Sequence, residues 1–161
     1  MPTTQTPAVK DGGALVEPPP ANLTGPTTNG RQLDKEAYRG IIESYFRAFE
    51  SHDFSKVQFS TLVEFLPPIS RIALKGREQV ESFIQPVSSR VLAVKVLNVN
   101  VDFPTASGLW QITTTRGAQY TVHNFFRLDG EGLLYIWPII DPLVVMNDPL
   151  GIVRWLTGNG Y

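Results

Sequence analysis

The sequence predicts an α+β fold in which a strongly twisted, mostly antiparallel sheet wraps around its own helices. Three observations support this prediction. A long amphipathic helical pattern comes first, a shorter helical pattern follows a strand-like segment, and the second half of the chain holds three or four long strands joined by short turns. A chain of 161 residues with 42% hydrophobic residues can form one compact core, so we expect a single domain.

The first helix is predicted from Asp34, a candidate N-cap, to about Ser51. Its apolar residues recur three and one positions apart, so they share one face of the helix, and charged residues occupy the other. The apolar face consists of Tyr38, Ile41, Ile42, Tyr45, Phe46 and Phe49.

A strand and a second helix are predicted next. The segment TLVEFL, residues 61–66, has a strand-like composition and is stopped by the two prolines that follow it. Residues 76–87 carry apolar side chains at helical spacing, and we expect Pro86 to end this helix.

The remaining core elements are predicted to be strands, with turns at PTASG, RGA and DGEG between them. Each turn is too short for a crossover, so neighbouring strands should be antiparallel. The predicted strands are 90–103, 109–116, 119–128 and 133–140.

Two terminal segments are predicted to differ from the central domain, residues 31–146. Residues 1–30 hold six of the thirteen prolines and no aromatic residue, which is typical of a flexible tail. Residues 147–161 contain a helix start at Asp148, a helix stop at Gly158 and apolar side chains that a solvated tail does not need. We expect this extension to dock on the domain as a lid, and its deletion to weaken ligand binding. The alternative is that Trp155 packs on the outside of the sheet or across a dimer contact.

Composition excludes several classes of function. The formal net charge is −1 and the 14 basic residues are scattered, so nucleic acid is an unexpected partner. The chain has no cysteine and only two histidines, so we expect neither a thiolate nucleophile nor a metal site, and no cofactor motif is present. No segment approaches the ~20 apolar residues that span a bilayer, and no secretion signal is visible, which predicts a cytoplasmic protein without membrane contact.

The order of these elements resembles the nuclear transport factor 2-like superfamily, in the branch of SnoaL-like polyketide cyclases, ketosteroid isomerase and scytalone dehydratase. The resemblance covers about residues 33–142 and is carried by IIESYFRAFESHDFS, VEFLPP, KGREQVESFI and HNFFRLDGEGLLYIWPIIDP. It implies a cone-shaped sheet, described as a cystatin-like α+β barrel, with a pocket between its concave face and the helices. It also implies a homodimer formed through the convex face.

The last hairpin should present one face to this pocket. Alternation places Tyr120, Val122, Asn124 and Phe126 on one face of the strand, and we expect this face to look inward. With DGEG as a four-residue loop, Asn124 would lie across from Trp137, and Tyr120 across from Asp141. A one-residue slip or bulge would instead bring His123 inward.

The resemblance also implies roles for individual residues. Tyr45 and Asn124 occupy positions where isomerase-like members carry donors to a developing oxyanion. The positions of the usual carboxylate bases fall on Leu66 and Pro138, so Glu64 and His123 are the remaining candidates for proton transfer. The predicted substrate-binding residues are Tyr120, Phe126, Trp110, Trp137, Leu66, Phe49 and Asp141.

Two functions are consistent with this pattern. The first is a cofactor-free enzyme that isomerises, cyclises or dehydrates a hydrophobic oxygenated small molecule of polyketide or terpenoid type. The second is a non-catalytic binding or scaffold protein of the same fold, which the apolar residues at the two expected acidic positions favour.

Overall fold

The computed structural model describes residues 35–68, 70–141 and 146–158. The predicted tail at 1–30 and the predicted cap at Asp34 lie outside these residues. The elements, in chain order, are α1 Lys35–Ser51, β1 Phe59–Phe65, β2 Leu74–Lys75, α2 Arg77–Ser88, β3 Val91–Asp102, β4 Thr105–Thr114, β5 Gln119–Leu128, β6 Leu133–Ile140 and α3 Pro149–Thr157.

The six described strands form one curved, unclosed sheet in the order β2-β1-β6-β5-β4-β3. All neighbours are antiparallel except β1 and β6, which run parallel. Register shifts interrupt the β3–β4 ladder at Val91/Ala93 and at Val96/Asn98, and such bulges bend a strand and increase its twist. The α+β class predicted from the sequence is confirmed.

Helix α1 lies in the concave face of the sheet. All six residues of its predicted apolar face are buried, with Ile42 and Phe46 at 0% exposure. The Phe46 ring packs directly over Gly108 of β4, where a Cβ atom would lie only 2.5 Å from the ring. The glycine therefore lets the helix approach the sheet closely, because it has no side chain to hold the two apart.

Helix α2 does not end at Pro86, as the sequence analysis expected, but continues to Ser88. Proline lacks the N–H that would bond to the carbonyl of Ser82, four residues earlier. Ser82 is exposed, so water can hydrate that carbonyl. The last turn closes through bonds from Ser89 N to Gln85 O and from Arg90 N to Val87 O.

The structure corrects one predicted turn and adds one strand that the sequence analysis did not predict. The bounds predicted for β5 and β6 are confirmed. The predicted PTASG turn is wrong, because Thr105–Thr114 form β4 and only the Phe103–Pro104 peptide separates it from β3. The sequence analysis also missed the two-residue edge strand β2, which is too short to give a periodic signal.

The pairing within the last hairpin differs by one residue from the prediction. Leu128 pairs with Leu133 near the loop, but beyond an irregularity the partners become Arg127 and Tyr135. The extra residue in β6 is Leu134, and it shifts every later pair. Asn124 therefore faces Pro138 instead of Trp137.

Helix α3 has the ends that the sequence predicts. Asp148 accepts a 2.9 Å hydrogen bond from Gly151 N as the N-cap, and Gly158 ends the helix at φ 71°. Ile152, Trp155 and Leu156 are buried against the domain. Across the described residues, none of the helices is both long and apolar enough to pass through a membrane.

Candidate functional site

Asn124 is the polar centre of the concave face. It lies on β5 with 0% exposure, and its Oδ1 accepts a 2.7 Å hydrogen bond from the indole Nε1 of Trp110 on β4. This bond fixes which way the amide points. The other end of the amide, Nδ2, is buried and has no hydrogen-bond partner.

Tyr45 of α1 brings a second polar group to the same place. Burial raises the pKa of Tyr45 far above its ordinary value of 10.0, and the neighbouring Asn124 amide opposes this rise only in part. The amide lies close enough to influence the hydroxyl, but Nδ2 does not reach it in hydrogen-bonding geometry. Tyr45 therefore remains protonated at all physiological pH values, and its hydroxyl can donate a hydrogen bond.

A small cavity of about 30 Å³ lies between the concave face of the sheet and the helices. This space is called the cone below, and the end that Trp155 and Leu156 of α3 close is called its mouth. Tyr45 and Trp110 contribute to its wall, and nearly everything else that lines it is apolar. The described lining residues also include Phe49, Phe65, Pro68, Phe83, Ile84, Val87, Val122, Pro138, Ile140, Trp155 and Leu156.

The volume of the cavity limits what it can hold in this conformation. A water molecule needs about 10–15 Å³ on this measure, and benzene needs a cavity of about 150 Å³. The cone therefore has room for one or two waters but not for an aromatic ligand. Two of the residues that line the cavity, Trp155 and Leu156, belong to α3, so movement of this helix would enlarge the cavity.

Several predicted site residues are brought together. Tyr45, Phe49 and Trp110 line the cavity, and Asn124 lies beside Tyr45 and Trp110. Phe126 is fully buried with its ring edge-on to Tyr45, at a centroid distance of 5.7 Å. The inward face predicted for β5 is thus the buried one.

The two candidate bases are not brought to the cavity. His123 is exposed on the opposite face of β5, because the bulge lies in β6 and leaves the alternation of β5 unchanged. Glu64 is half-buried and forms a 3.1 Å ion pair with Lys75 of the edge strand β2. In this conformation neither side chain can transfer a proton inside the cone.

Four predicted substrate-binding residues also lie elsewhere. Trp137 is 42% exposed on the outer face, a consequence of the one-residue shift in β6. Asp141 is exposed beyond the end of β6, and Leu66 is half-buried beyond the end of β1. Tyr120 faces inward but lines a separate groove beside α3.

The cavity wall carries no acidic or imidazole side chain among the described residues. Pro138, at the position where the resemblance places a late-strand aspartate in cyclases, contributes only apolar surface. Within the part of the chain that the structure describes, no three histidine or acidic side chains meet as metal ligands. The cone thus offers hydrogen-bond donors and apolar contacts.

The sequence analysis missed the Trp110–Asn124 bond and the part that Leu156 plays in the cavity wall. Trp110 pairs with Val122 across β4 and β5, so it is the diagonal neighbour of Asn124 on the same face. That relationship depends on strand register, which the sequence does not reveal. The spacing of Ile152, Trp155 and Leu156 in α3 did carry a readable helical signal.

Solved structures with this fold include named enzymes. The chain is similar to a putative SnoaL-like polyketide cyclase from Jannaschia sp. CCS1 (14% identity, TM-score 0.58, 73% of this chain and 96% of that one). It is also similar to a steroid delta-isomerase from Pseudomonas aeruginosa (12% identity, TM-score 0.57, 78% of this chain and 98% of that one). A third similar structure is an NTF-2 like protein of unknown function from Burkholderia xenovorans LB400 (11% identity, TM-score 0.60, 66% of this chain and 84% of that one). Such identities show a shared fold, which is therefore nuclear transport factor 2-like.

Sequence comparison gives a narrower assignment. No curated protein sequence matches the chain significantly. One family model matches residues 33–161, which include every described element. The chain therefore belongs to the family described as "Domain of unknown function (DUF4904)".

Proposed function

We propose that the protein binds a hydrophobic, oxygen-bearing small molecule in the cone and promotes its isomerisation, cyclisation or dehydration without a cofactor. The observation that carries this proposal is the unpaired Nδ2 of Asn124, fully buried and held in place by Trp110. A buried donor without an acceptor costs about 1–3 kcal/mol. The complement of such a donor is an oxygen atom supplied by a ligand.

The chemical class of the ligand follows from the cavity wall. Apart from the Tyr45 hydroxyl and the indole nitrogens of Trp110 and Trp155, the described lining is aliphatic, aromatic or proline. Such a wall favours a carbon skeleton with few polar groups, as in polyketides or terpenoids. The single polar centre at Asn124 and Tyr45 favours one carbonyl or hydroxyl oxygen at the inner end of that skeleton.

The donors would act on the charge that develops during reaction. An enolate or alkoxide oxygen placed between Asn124 Nδ2 and the Tyr45 hydroxyl would be stabilised, because fixed donors are strong in a dry, low-dielectric site. Tyr45 acts as a donor and not as a base, since burial raises its pKa. The described wall holds no carboxylate, so we favour reactions in which the substrate or a water molecule transfers the proton, such as cyclisation of a correctly oriented substrate.

Entry of the ligand would require α3 to move. Trp155 and Leu156 close a space of only about 30 Å³, and the indole N–H of Trp155 is itself buried without a partner. Among the described residues, Asn124 Nδ2 and Trp155 Nε1 are thus two buried donors without a protein partner, and an oxygen-bearing ligand could pair with such donors. We propose that a ligand displaces the side chains of Trp155 and Leu156 and occupies their place.

Binding by the cone can be tested with naphthalene and 2-naphthol as probes. The hydroxyl of 2-naphthol is well hydrated, so an apolar cavity alone would prefer naphthalene. We expect at least tenfold tighter binding of 2-naphthol by titration calorimetry, and loss of this preference in Asn124→Leu. Thr121→Val on the outer face of the same strand is the matched control. A preference for naphthalene in the unmodified protein would overturn the proposal.

A second candidate is a binding protein without catalysis, favoured by the absence of an acid or base in the described wall. The two candidates differ in turnover of a β,γ-unsaturated ketone, whose conjugated product is detected by its ultraviolet absorbance. We expect slow turnover that is abolished in the Tyr45→Phe, Asn124→Ala double variant. Binding of the ketone with no turnover above that of the double variant would favour the binding protein.

A further inference from the structure

A groove of about 380 Å³ lies beside α3, outside the cone. This volume is within the range of small-molecule sites, about 300–1,000 Å³, whereas the cone alone has room for one or two waters. Trp155 lines both cavities. Its indole ring, which is only 8% exposed, therefore lies between them as a partition.

The two cavities follow one another along the inward face of the sheet. On β5, Tyr120 lines the groove, Val122 lines the cone and Asn124 marks its polar end. On the neighbouring strand β4, Thr114 lines the groove and Trp110 lines the cone. Tyr120 and Asn124 are four residues apart, which corresponds to ~14 Å along an antiparallel strand. The groove thus continues the cone in a straight line along both strands.

The partition is held by packing alone. Among the described residues, the buried indole N–H of Trp155 has no hydrogen-bond partner, and the ring lies 5.6 Å from the Tyr120 ring. The backbone of α3 is held more firmly, because Arg90 Nη1 donates a 2.6 Å hydrogen bond to the Trp155 carbonyl oxygen and Asp148 caps the first turn. A new rotamer of the ring would break no hydrogen bond, so it is the smallest movement of α3 that would connect the two cavities.

We propose that the groove and the cone are two halves of one ligand site, which become continuous when the Trp155 ring rotates away. This inference rests on the function proposed above for the cone, and it narrows the class of ligand. The ligand is an elongated molecule whose oxygen-bearing end lies at Asn124 and whose other end lies ~14 Å away, beside Tyr120 in the groove. The groove wall combines hydroxyl groups with aromatic surface, so it suits an outer end that carries further oxygen atoms.

Two phenolic probes of different length test this proposal on the full chain. 2-Naphthol fills only the cone, whereas the additional ring of 6-phenyl-2-naphthol has to enter the groove. Thr115→Trp and Ala118→Trp each place a bulky ring in the groove wall. We expect at least one of them to weaken 6-phenyl-2-naphthol tenfold or more in fluorescence titrations and to leave 2-naphthol unchanged, while Asn124→Leu weakens both probes. Thr113→Trp, on the outer face of β4, is the matched control.

The outcomes separate this inference from the proposed function. A long probe that is weakened by Asn124→Leu and by a groove variant spans both cavities, as proposed. Dependence on Asn124 alone would overturn the joint site and leave the proposed function intact. Dependence on the groove variants alone would show two separate sites, which also overturns it. The proposed function itself fails if Asn124→Leu leaves 2-naphthol binding unchanged, a result that does not involve the groove.

Trp155→Leu tests the partition. The smaller side chain should raise the association rate constant of 6-phenyl-2-naphthol at least tenfold in stopped-flow measurements, because the ligand no longer waits for the ring to rotate. Val153→Ala, on the exposed side of α3, should bind at the rate of the unmodified protein. Equal rates for folded Trp155→Leu and the unmodified protein would contradict the role of the ring as a partition.

Discussion

The indole nitrogen of Trp110 donates a 2.7 Å hydrogen bond to Asn124 Oδ1, and this bond leaves the Asn124 Nδ2 group buried and unpaired. We expect the two side chains to be coupled. Trp110→Phe leaves the whole amide without a partner, whereas Asn124→Leu removes one unpaired donor and creates another on Trp110. The double variant should therefore be more stable than the sum of the two single effects predicts, by about 0.5–3 kcal/mol. Urea unfolding of the three variants measures this difference, and additive effects would show that the bond contributes nothing.

Tyr45 should make the protein sensitive to alkaline pH. Burial raises its pKa above 10.0, so the folded protein retains a proton that the unfolded chain releases. The contribution to stability is complete below pH 10 and is lost as the pH rises above it, by up to about 1.4 kcal/mol per pH unit. Tyr45→Phe should lose less stability between pH 10 and pH 11.5. Parallel profiles for the two proteins in urea unfolding would exclude Tyr45 as the cause.

Helix α3 should compete with the ligand. The sequence analysis expected its deletion to weaken binding, but the side chains of Trp155 and Leu156 occupy the mouth where a ligand would lie, which favours the opposite sign. We expect Trp155→Ala to lower the free energy of unfolding by about 3–5 kcal/mol and to strengthen naphthalene and 2-naphthol binding. Val153→Ala, on the exposed side of α3, is the control. Weaker binding by folded Trp155→Ala would support the lid as first predicted.

The outer face of the sheet should form a homodimer. Trp137 is 42% exposed and lies across from Phe125, while Ile139 is 38% exposed and lies across from His123. Trp137, Phe125 and Ile139 form an apolar row beside His123, and a second copy of the chain would cover this row. Light scattering should give twice the mass of one chain at micromolar concentration, and Trp137→Arg should reduce it to a single chain. A monomer mass for the unmodified protein would contradict this prediction.

Much of the fold could be predicted because its signals are local. The apolar face of α1 and the limits of β5 and α3 follow from periodicity and capping, which depend on neighbouring residues only. The inward face of β5 was likewise predicted from alternation. Leu134 shows where such reasoning fails, because a bulge arises from packing between strands and not from the composition of either one.

The candidate site was predicted less completely. Tyr45, Phe49, Trp110 and Asn124 come together as expected, since each lies on an inward face. The side chain of Trp137 was placed on the wrong face. The extra residue at Leu134 shifts the pairing by one, so every later residue of β6 faces the side opposite to the one predicted. The size of the cavity and its closure by α3 depend on long-range packing, which no local pattern records.

The central claim is that Asn124 and Tyr45 bind an oxygen atom of a ligand inside the cone. The most direct test is a crystal structure of Trp155→Ala with 2-naphthol, because this variant removes the side chain that fills the mouth. We predict that the naphthol oxygen lies about 2.7–3.2 Å from Asn124 Nδ2 and within hydrogen-bonding distance of the Tyr45 hydroxyl. A ring bound in the cone with its oxygen directed to solvent, or naphthol bound only outside the cone, would contradict the claim.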